Sequence, residues 1–176
     1  MIRAELPPYD SATSDLRQAF SFFPSGVVAL LADVDGETQG MVASAFTVGV
    51  SMDPPLVSCA VQRSSSTWPL LRGAERIGVT VLAEGQGGLA RQISGKDRAR
   101  RFDGVELRQT GSTARFIQGT PLWLECRLYA EHEAGDHTVA LLEVTAIGVL
   151  PDLEPLVFHR SDFRSLQLTA SELTTP

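Results

Sequence analysis

The sequence predicts a mostly β fold: an antiparallel barrel with short peripheral helices. Three observations support it. Runs rich in β-branched residues recur along the chain, as in GVVALLAD (26–33), RIGVTVLA (76–83) and HTVALLEVTAIGVL (137–150). Two junctions between such runs, Asp35-Gly36 and Gly135-Asp136, are tight-turn pairs of the hairpin kind. Helical stretches do not alternate regularly with strands, which disfavours a doubly wound parallel sheet.

Taken in order, residues 1–13 read as a loose arm, with Pro7 and Pro8 among polar neighbours. Ser14 can N-cap a helix over 14–23, in which Leu16, Ala19, Phe20 and Phe23 share a face. Pro24 ends it, because the residue before a proline is steered away from helical backbone. The 26–33 strand turns at Asp35-Gly36 into a second long strand, 38–51, whose Gly40 and Gly49 mark bulges or close approach. Asp53-Pro54-Pro55 breaks the pattern before a short apolar strand, PLVSCAV (55–61). Ser64 to Gly73 reads as a helix, Ser/Thr-rich at its start and closed by glycine. A strand (76–83) and a helix on Leu89/Ile93 spacing (87–95) follow. The charged stretch KDRARRFDG (96–104) reads as solvated. LWLECRLYAEHEA (122–134) and 137–150 form a second long hairpin. PLVFH (155–159) and RSDFRSL (160–166) close a domain spanning 14–167, and 168–176 is a frayed tail.

A chain of 176 residues fits one domain and buries enough surface to fold without disulfide or metal. Hydrophobic residues at 43% and charged residues at 20% exclude global disorder. The formal charge of −6 favours solubility and argues against a nucleic-acid or anionic-membrane surface. No apolar stretch approaches the ~18 residues that cross a bilayer, and the first ten residues lack a signal peptide's apolar core. Cys59 and Cys126 sit far apart in apolar runs and read as buried free thiols. The expectation is a soluble, cytoplasmic protein.

Four motifs bear on chemistry. Gly85-Gln86-Gly87-Gly88-Leu89-Ala90 satisfies G-x-G-x-x-A, with Asp103 eighteen residues past Gly85, like a dinucleotide fingerprint. A charged run follows instead of a βαβ unit, so these glycines read as a helix entry. Hydroxyls cluster in GMVASAFTVGVS (Ser44, Thr47) and RSSSTW (Ser64, Ser65, Ser66, Thr67), where they could hold a phosphate ester or serve as ordinary caps. Gly135-Asp136 explains itself as a turn. His137 beside that carboxylate could donate to a ligand amide or phosphate, or be structural. His132 could approach it across the hairpin, yet residues on a turn lack the inward geometry of a metal site. Neither a G-x-S-x-G elbow, an H-E-x-x-H pair nor a Walker A loop is present, so hydrolytic chemistry is unsupported.

Several stretches in order resemble one family: FSFFPSGVVALL, GMVASAFTVGVSMDPPLVSCAVQRSSSTWPLL, IGVTVLAEGQGGLARQISG, RFDGV, WLECRL, AGDHTVALLEV and LVFHRSDFRSL. Over residues 14–167 the chain is similar to the flavin reductase domain family, which includes reductase components of two-component flavin-dependent monooxygenases. The resemblance implies a split β-barrel of Greek-key type and a homodimer with flavin sites near the subunit interface. It further implies hydride transfer from NADH or NADPH to FMN or FAD, with a separate oxygenase as recipient of reduced flavin.

Carried onto this chain, Ser25, Gly26 and Val27 would lie beside the flavin ring system. Ala43, Ser44, Ala45, Phe46 and Thr47 would run along the ring and ribityl chain. Ala60 and Val61 would lead to Ser64, Ser65, Ser66 and Thr67 near the ribityl and phosphate. Ser94, Lys96 and Arg101 would be phosphate partners, and His137 the contact to the nicotinamide nucleotide. No side-chain nucleophile is required. Thr80, Ser25, Ile77 and Phe163 depart from the family's usual Asn, Thr, Phe and Tyr. Two rivals stand beside this reading: a flavin- or haem-binding split-barrel carrier or sensor without reductase activity, and a reductase that keeps its flavin permanently.

Overall fold

Residues 13–166 are described in a computed structural model; all but the last residue of the expected arm, and the tail, lie outside them. Helix α1 (Thr13–Ser21) leads to β1 (Ser25–Gly26) and β2 (Val28–Val34). Asp35 and Gly36, both at positive φ, then reverse the chain into β3 (Glu37–Ala43). Next come β4 (Phe46–Met52), β5 (Pro55–Gln62), α2 (Trp68–Leu71), β6 (Ile77–Val81) and α3 (Gly87–Ile93). A 3₁₀ turn (Arg98–Arg100), β7 (Leu107–Gln109) and β8 (Arg115–Ile117) precede the long hairpin of β9 (Leu122–Ala134) and β10 (His137–Val149). Strand β11 (Val157–His159) pairs with β1 on one side and with β12 (Asp162–Arg164) on the other. No helix among the described residues is long and apolar enough to cross a membrane.

The main sheet has the order β3-β2-β6-β9-β10-β5-β4, every neighbour antiparallel. Strands β3 and β4 form its two edges, yet only Ser44 and Ala45 separate them in sequence. Three Cα steps span at most about 11 Å, so the sheet must curl until its edges nearly meet. The edges are not paired to each other, and the barrel is split along that seam. The single strand expected over 38–51 is therefore two strands on opposite edges.

Alternation along β2 shows where the cores sit. Val28, Leu30 and Ala32 join Val57, Cys59, Val61, Ile77, Val79, Leu124, Cys126, Ala140 and Leu142 inside the barrel. Ala29 and Leu31 face outward into a second core with Leu82, Ala90, Ile93, Ile117 and Leu156. Strand β2 is thus buried on both sides over Val28 to Ala32, which fits the continuous apolar run there. Both thiols are free and buried, and burial pushes each up to about 12, with Glu125 adding to the effect at Cys126.

Other boundaries also differ from expectation. The helix expected over 64–73 shrinks to Trp68–Leu71, because Ser64 to Thr67 form a turn and bends in which the Ser65 hydroxyl and the Thr67 carbonyl accept from the helix's first N–H groups. The 96–104 stretch is not simply solvated: Phe102 packs against Gly40, where a Cβ would come within 2.6 Å of the ring. Strands β7 and β8 were not anticipated; the first is short and polar, and the second carries Arg115, 9% exposed and paired with Asp33.

Candidate functional site

The seam opens as a cleft of about 760 Å³, within the range of small-molecule sites. Its floor is the unpaired edge of β3 running from Met41 into Ser44 and Ala45. Opposite lie Ala60, Val61 and Gln62, the last three residues of β5. The Ala60 N–H donates to the Ala45 carbonyl at 2.9 Å, which holds the floor against the far wall.

Hydroxyls line one wall. Ser64, Ser65, Ser66 and Thr67 all face the cleft. The turn is fixed at both ends. The Arg63 N–H donates to the Asp136 carbonyl at 3.0 Å, and the Ser65 N–H to the Gln62 carbonyl at 2.9 Å. At the other end the Trp68 N–H donates to Ser65 Oγ (3.1 Å), while the buried Trp68 indole donates to Glu131 Oε1 (2.7 Å).

Cations line the other. Ser94 follows α3, and Lys96 and Arg101 flank the 3₁₀ turn. Arg101 is half-buried and held by four donations: to the Gly95 carbonyl from Nε (3.1 Å) and Nη2 (3.0 Å), and from Nη1 to the Gly40 carbonyl (3.2 Å) and Thr67 Oγ1 (3.0 Å). That last bond joins the two walls. Burial, and then the neighbouring Arg98, lower the Arg101 pKa from its ordinary value, so this cation is held without a full share of water or counter-charge.

His137 stands at the other end, register partner of Gln62. Its Nδ1 lies 2.7 Å from Asp136 Oδ1, and this hydrogen bond holds the carboxyl below its ordinary range. With Asp136 ionised, Nδ1 carries the proton and Nε2 is left for a ligand. His132 pairs with Val139 rather than His137, two residues further along the hairpin.

The cleft therefore gathers Ala43, Ser44, Ala45, Ala60, Val61, Ser64, Ser65, Ser66, Thr67, Ser94, Lys96, Arg101 and His137. Five expected residues lie outside it. Ser25 and Gly26 pair with Phe158 and Val157 on β11. Val27 lines a neighbouring cavity of about 240 Å³ that shares Val42, Ser44 and Ser94 with the cleft. Phe46 turns back to pack on the barrel core, and Thr47 stands exposed opposite Ser58. Sequence reasoning missed Met41, Val42, Gln62 and Ile93. Met41 was within reach, since alternation puts it on the same face of β3 as Ala43.

The G-x-G-x-x-A stretch has a packing explanation. A Cβ on Gly87 would sit 2.6 Å from the Phe163 ring, and Gly85 turns at φ +84. The flanking strand β6 pairs antiparallel with both neighbours, so no βαβ unit exists there.

A family profile described as a flavin reductase like domain matches residues 20–167. A flavin reductase from Pseudomonas putida is 34% identical over 148 residues, 84% of this chain and 86% of its own length. The reductase component of a Thermus thermophilus 4-hydroxyphenylacetate 3-monooxygenase is 31% identical over 150 residues, covering 85% and 94%. Among solved structures, a Streptomyces globisporus NADH:FAD oxidoreductase in complex with NAD and FAD fragments superposes with a TM-score of 0.86 at 33% identity, covering 95% of this chain and 99% of that one.

Proposed function

This chain belongs to the flavin reductase like domain family, and from that premise we propose how its cleft serves the reaction. The protein is an NAD(P)H-dependent flavin oxidoreductase with a mostly β, split-barrel fold, and it provides reduced flavin to a partner monooxygenase. FMN or FAD and the nicotinamide dinucleotide supply the chemistry: a hydride, two electrons with one proton, leaves nicotinamide C4 for flavin N5. The chain's own residues bind, orient and exclude water.

One observation carries the assignment of roles. A single cleft offers main chain along its floor, hydroxyls and a fixed guanidinium at the Thr67 end, and an imidazole at the Gln62 end. Met41 to Ser44 present the edge of β3 that no strand pairs, suited to a planar ring whose polar rim needs N–H and C=O partners. Amide groups along that edge would hold the ring of a bound flavin and would favour negative charge on it. Ser64 to Thr67, Ser94, Lys96 and Arg101 take the ribityl hydroxyls and phosphate. Val27 borders the ring from the adjoining cavity, Ser25 and Gly26 carry the strand beside it, and Phe46 and Thr47 act only through the backbone. His137 Nε2 orients the nicotinamide nucleotide against the flavin.

The test is steady-state oxidation of NADH and NADPH with added FMN or FAD, in the native protein and in His137→Ala. Losing one hydrogen bond worth about 1.4 kcal/mol should raise the nicotinamide KM about tenfold with a smaller change in kcat. An unchanged KM overturns the role of His137. Flavin binding without nicotinamide oxidation would select a carrier instead.

The working unit is a homodimer formed through the outer edge. Strand β4 exposes Val48, Val50 and Met52, the last 85% exposed, and Ile147 and Val149 on β10 are exposed as well. Patches of this kind mark association sites. Light scattering after size exclusion should show a dimer that Met52→Asp weakens; a monomer with full activity refutes it. Two free thiols fit a reducing, cytoplasmic setting.

A further inference from the structure

The hydroxyl wall rests on a carboxylate that lies outside the cleft. Helix α2 is one turn long, and its first residue, Trp68, stands four residues before Arg72, which caps its end. Residues at that spacing share a face of a helix. Glu131 on β9 meets both: Oε1 accepts from the Trp68 indole at 2.7 Å, and Oε2 pairs with Arg72 Nη2 at 2.9 Å. The Glu131 side chain is only 17% exposed, so its charge is held largely away from water and depends on these two donors. Neither Glu131 nor Trp68 lines the cleft. The position of α2 nonetheless decides what the cleft presents. The Leu70 and Leu71 N–H groups donate to the Thr67 carbonyl at 3.0 and 3.2 Å, so Thr67 moves with the helix. Ser65 Oγ accepts from the Trp68 N–H at 3.1 Å, and Thr67 Oγ1 accepts from Arg101 Nη1 at 3.0 Å. A hydroxyl that accepts from the protein keeps its own O–H to donate. Among the described residues no acceptor takes either proton, so both hydroxyls are left as donors on the cleft wall. That is the polarity a phosphate oxygen needs.

We propose that Glu131 is a positioning residue for the flavin. It grips α2 through the Trp68 indole, with Arg72 on its other oxygen, and so fixes the Ser65 and Thr67 hydroxyls where the ribityl and phosphate arm meets them. This rests on the flavin reading above. Glu131 acts through the indole and not by a contact of its own, because it stands outside the cleft. Its influence reaches the opposite wall as well, since Arg101 takes part of its orientation from Thr67. The nicotinamide contact is held by a different carboxylate: His137 Nδ1 bonds to Asp136 Oδ1 at 2.7 Å. Loss of Glu131 should therefore fall on the flavin and spare the nicotinamide. A supporting residue of this kind sets affinity by holding the groups that touch the ligand in one geometry.

The experiment measures the FMN Kd, and the NADH KM and kcat at saturating FMN, in native protein, Glu131→Leu, Glu131→Gln and Trp68→Phe. Glu131→Leu removes the acceptor and should raise the FMN Kd about tenfold, with the NADH KM and kcat within about twofold. Glu131→Gln keeps an oxygen for the indole and should hold the FMN Kd within about threefold of native. Trp68→Phe leaves a ring in the core and removes only the N–H side of the contact, so it reads the same pattern even where Glu131→Leu fails to fold. The chain has two tryptophans, and Trp123 donates elsewhere, to the Ile117 carbonyl and Thr120 Oγ1. In nitrogen–proton correlation spectra Glu131→Gln should move the Trp68 indole resonance and leave that of Trp123; if neither moves, Glu131 does not hold the indole and the proposal fails. An unchanged FMN Kd in folded Glu131→Leu or Trp68→Phe overturns it. An equal rise in FMN Kd and NADH KM overturns it too, by marking a general loosening. A Glu131→Gln variant as weak as Glu131→Leu removes the indole as the route and has the same consequence. If the native protein binds no FMN, the parent reading fails instead, a result distinct from native protein and Glu131→Leu binding FMN equally well.

Discussion

The two walls of the cleft are built on different principles. The hydroxyl wall, 63–67, is held by the main sheet: its backbone bonds to the Gly135-Asp136 turn and to Gln62, and the buried Trp68 pins its far end to β9. The cationic wall, 94–101, touches the sheet chiefly through side chains. Gln92 Nε2 donates to the carbonyls of Arg100, Arg101 and Asp103 at 3.0–3.2 Å, and Phe102 packs on Gly40. The contrast suggests a division of labour. Neutral donors that fix orientation are rigid, while the charges that set affinity sit on a segment supported by few residues. Perturbing one wall should therefore cost geometry and stability, and perturbing the other should cost affinity alone.

The largest effect should come from Trp68→Ala. Trp68 is 5% exposed and closes the barrel core beneath Thr67. Its loss should cost about 3–5 kcal/mol of stability, read by chemical denaturation. It should also strip flavin binding from whatever protein stays folded, because the indole that anchors the end of the turn to Glu131 is gone. Retained flavin affinity in a folded variant would show that the hydroxyl wall does not depend on this indole.

Arg101→Ala attacks the opposite wall. Arg101 makes four hydrogen bonds but contributes little to either core, so the melting temperature should change modestly. The flavin Kd should rise about tenfold, as expected for loss of one charge-assisted phosphate contact. FMN and FAD should suffer alike, and riboflavin, which lacks the phosphate, should be indifferent. Equal weakening of riboflavin would mean that Arg101 acts by bracing Thr67 and not by holding phosphate.

The same contrast explains what could be read from the sequence. The hairpin β9–β10 was legible to within a residue, because strong alternation and Gly135-Asp136 act locally. The hydroxyl wall was legible as composition, though its backbone was not: serines suit both a helix start and a run of turns, and the tertiary bond from Arg63 to Asp136, with the local one from Ser65 to Gln62, decides for turns. The 38–51 segment misled for a plain reason. Each half reads as strand, and only the closure of the sheet sends the chain across the seam at Ser44-Ala45. In the 96–104 stretch, arginines suggested solvent. The buried contact comes from Phe102 meeting Gly40, a pairing of residues 62 apart that no local pattern announces. The family resemblance extends the flavin contacts to Phe46 and Thr47, but the strand's own alternation turns Phe46 to the core.

Gln92→Ala makes the smallest and sharpest change. Gln92 is exposed, does not line the cleft, and donates to the backbone carbonyls of Arg100, Arg101 and Asp103. Removing it leaves those carbonyls to water, so global stability should fall by only about 0.5–1.5 kcal/mol. If the cationic wall depends on side-chain bracing, flavin affinity should still fall about threefold through a less ordered Arg101, while the nicotinamide KM stays put. Gln92→Glu separates bracing from charge. It keeps the side chain's length but replaces the amide donor with an acceptor that the three carbonyls repel, and it also sets a carboxylate near Arg101. A loss in both variants assigns the effect to bracing, and a loss in Gln92→Glu alone assigns it to charge. No change in either would mean that Phe102 on Gly40 holds the wall by packing, and that the two walls are more alike than their hydrogen bonds suggest.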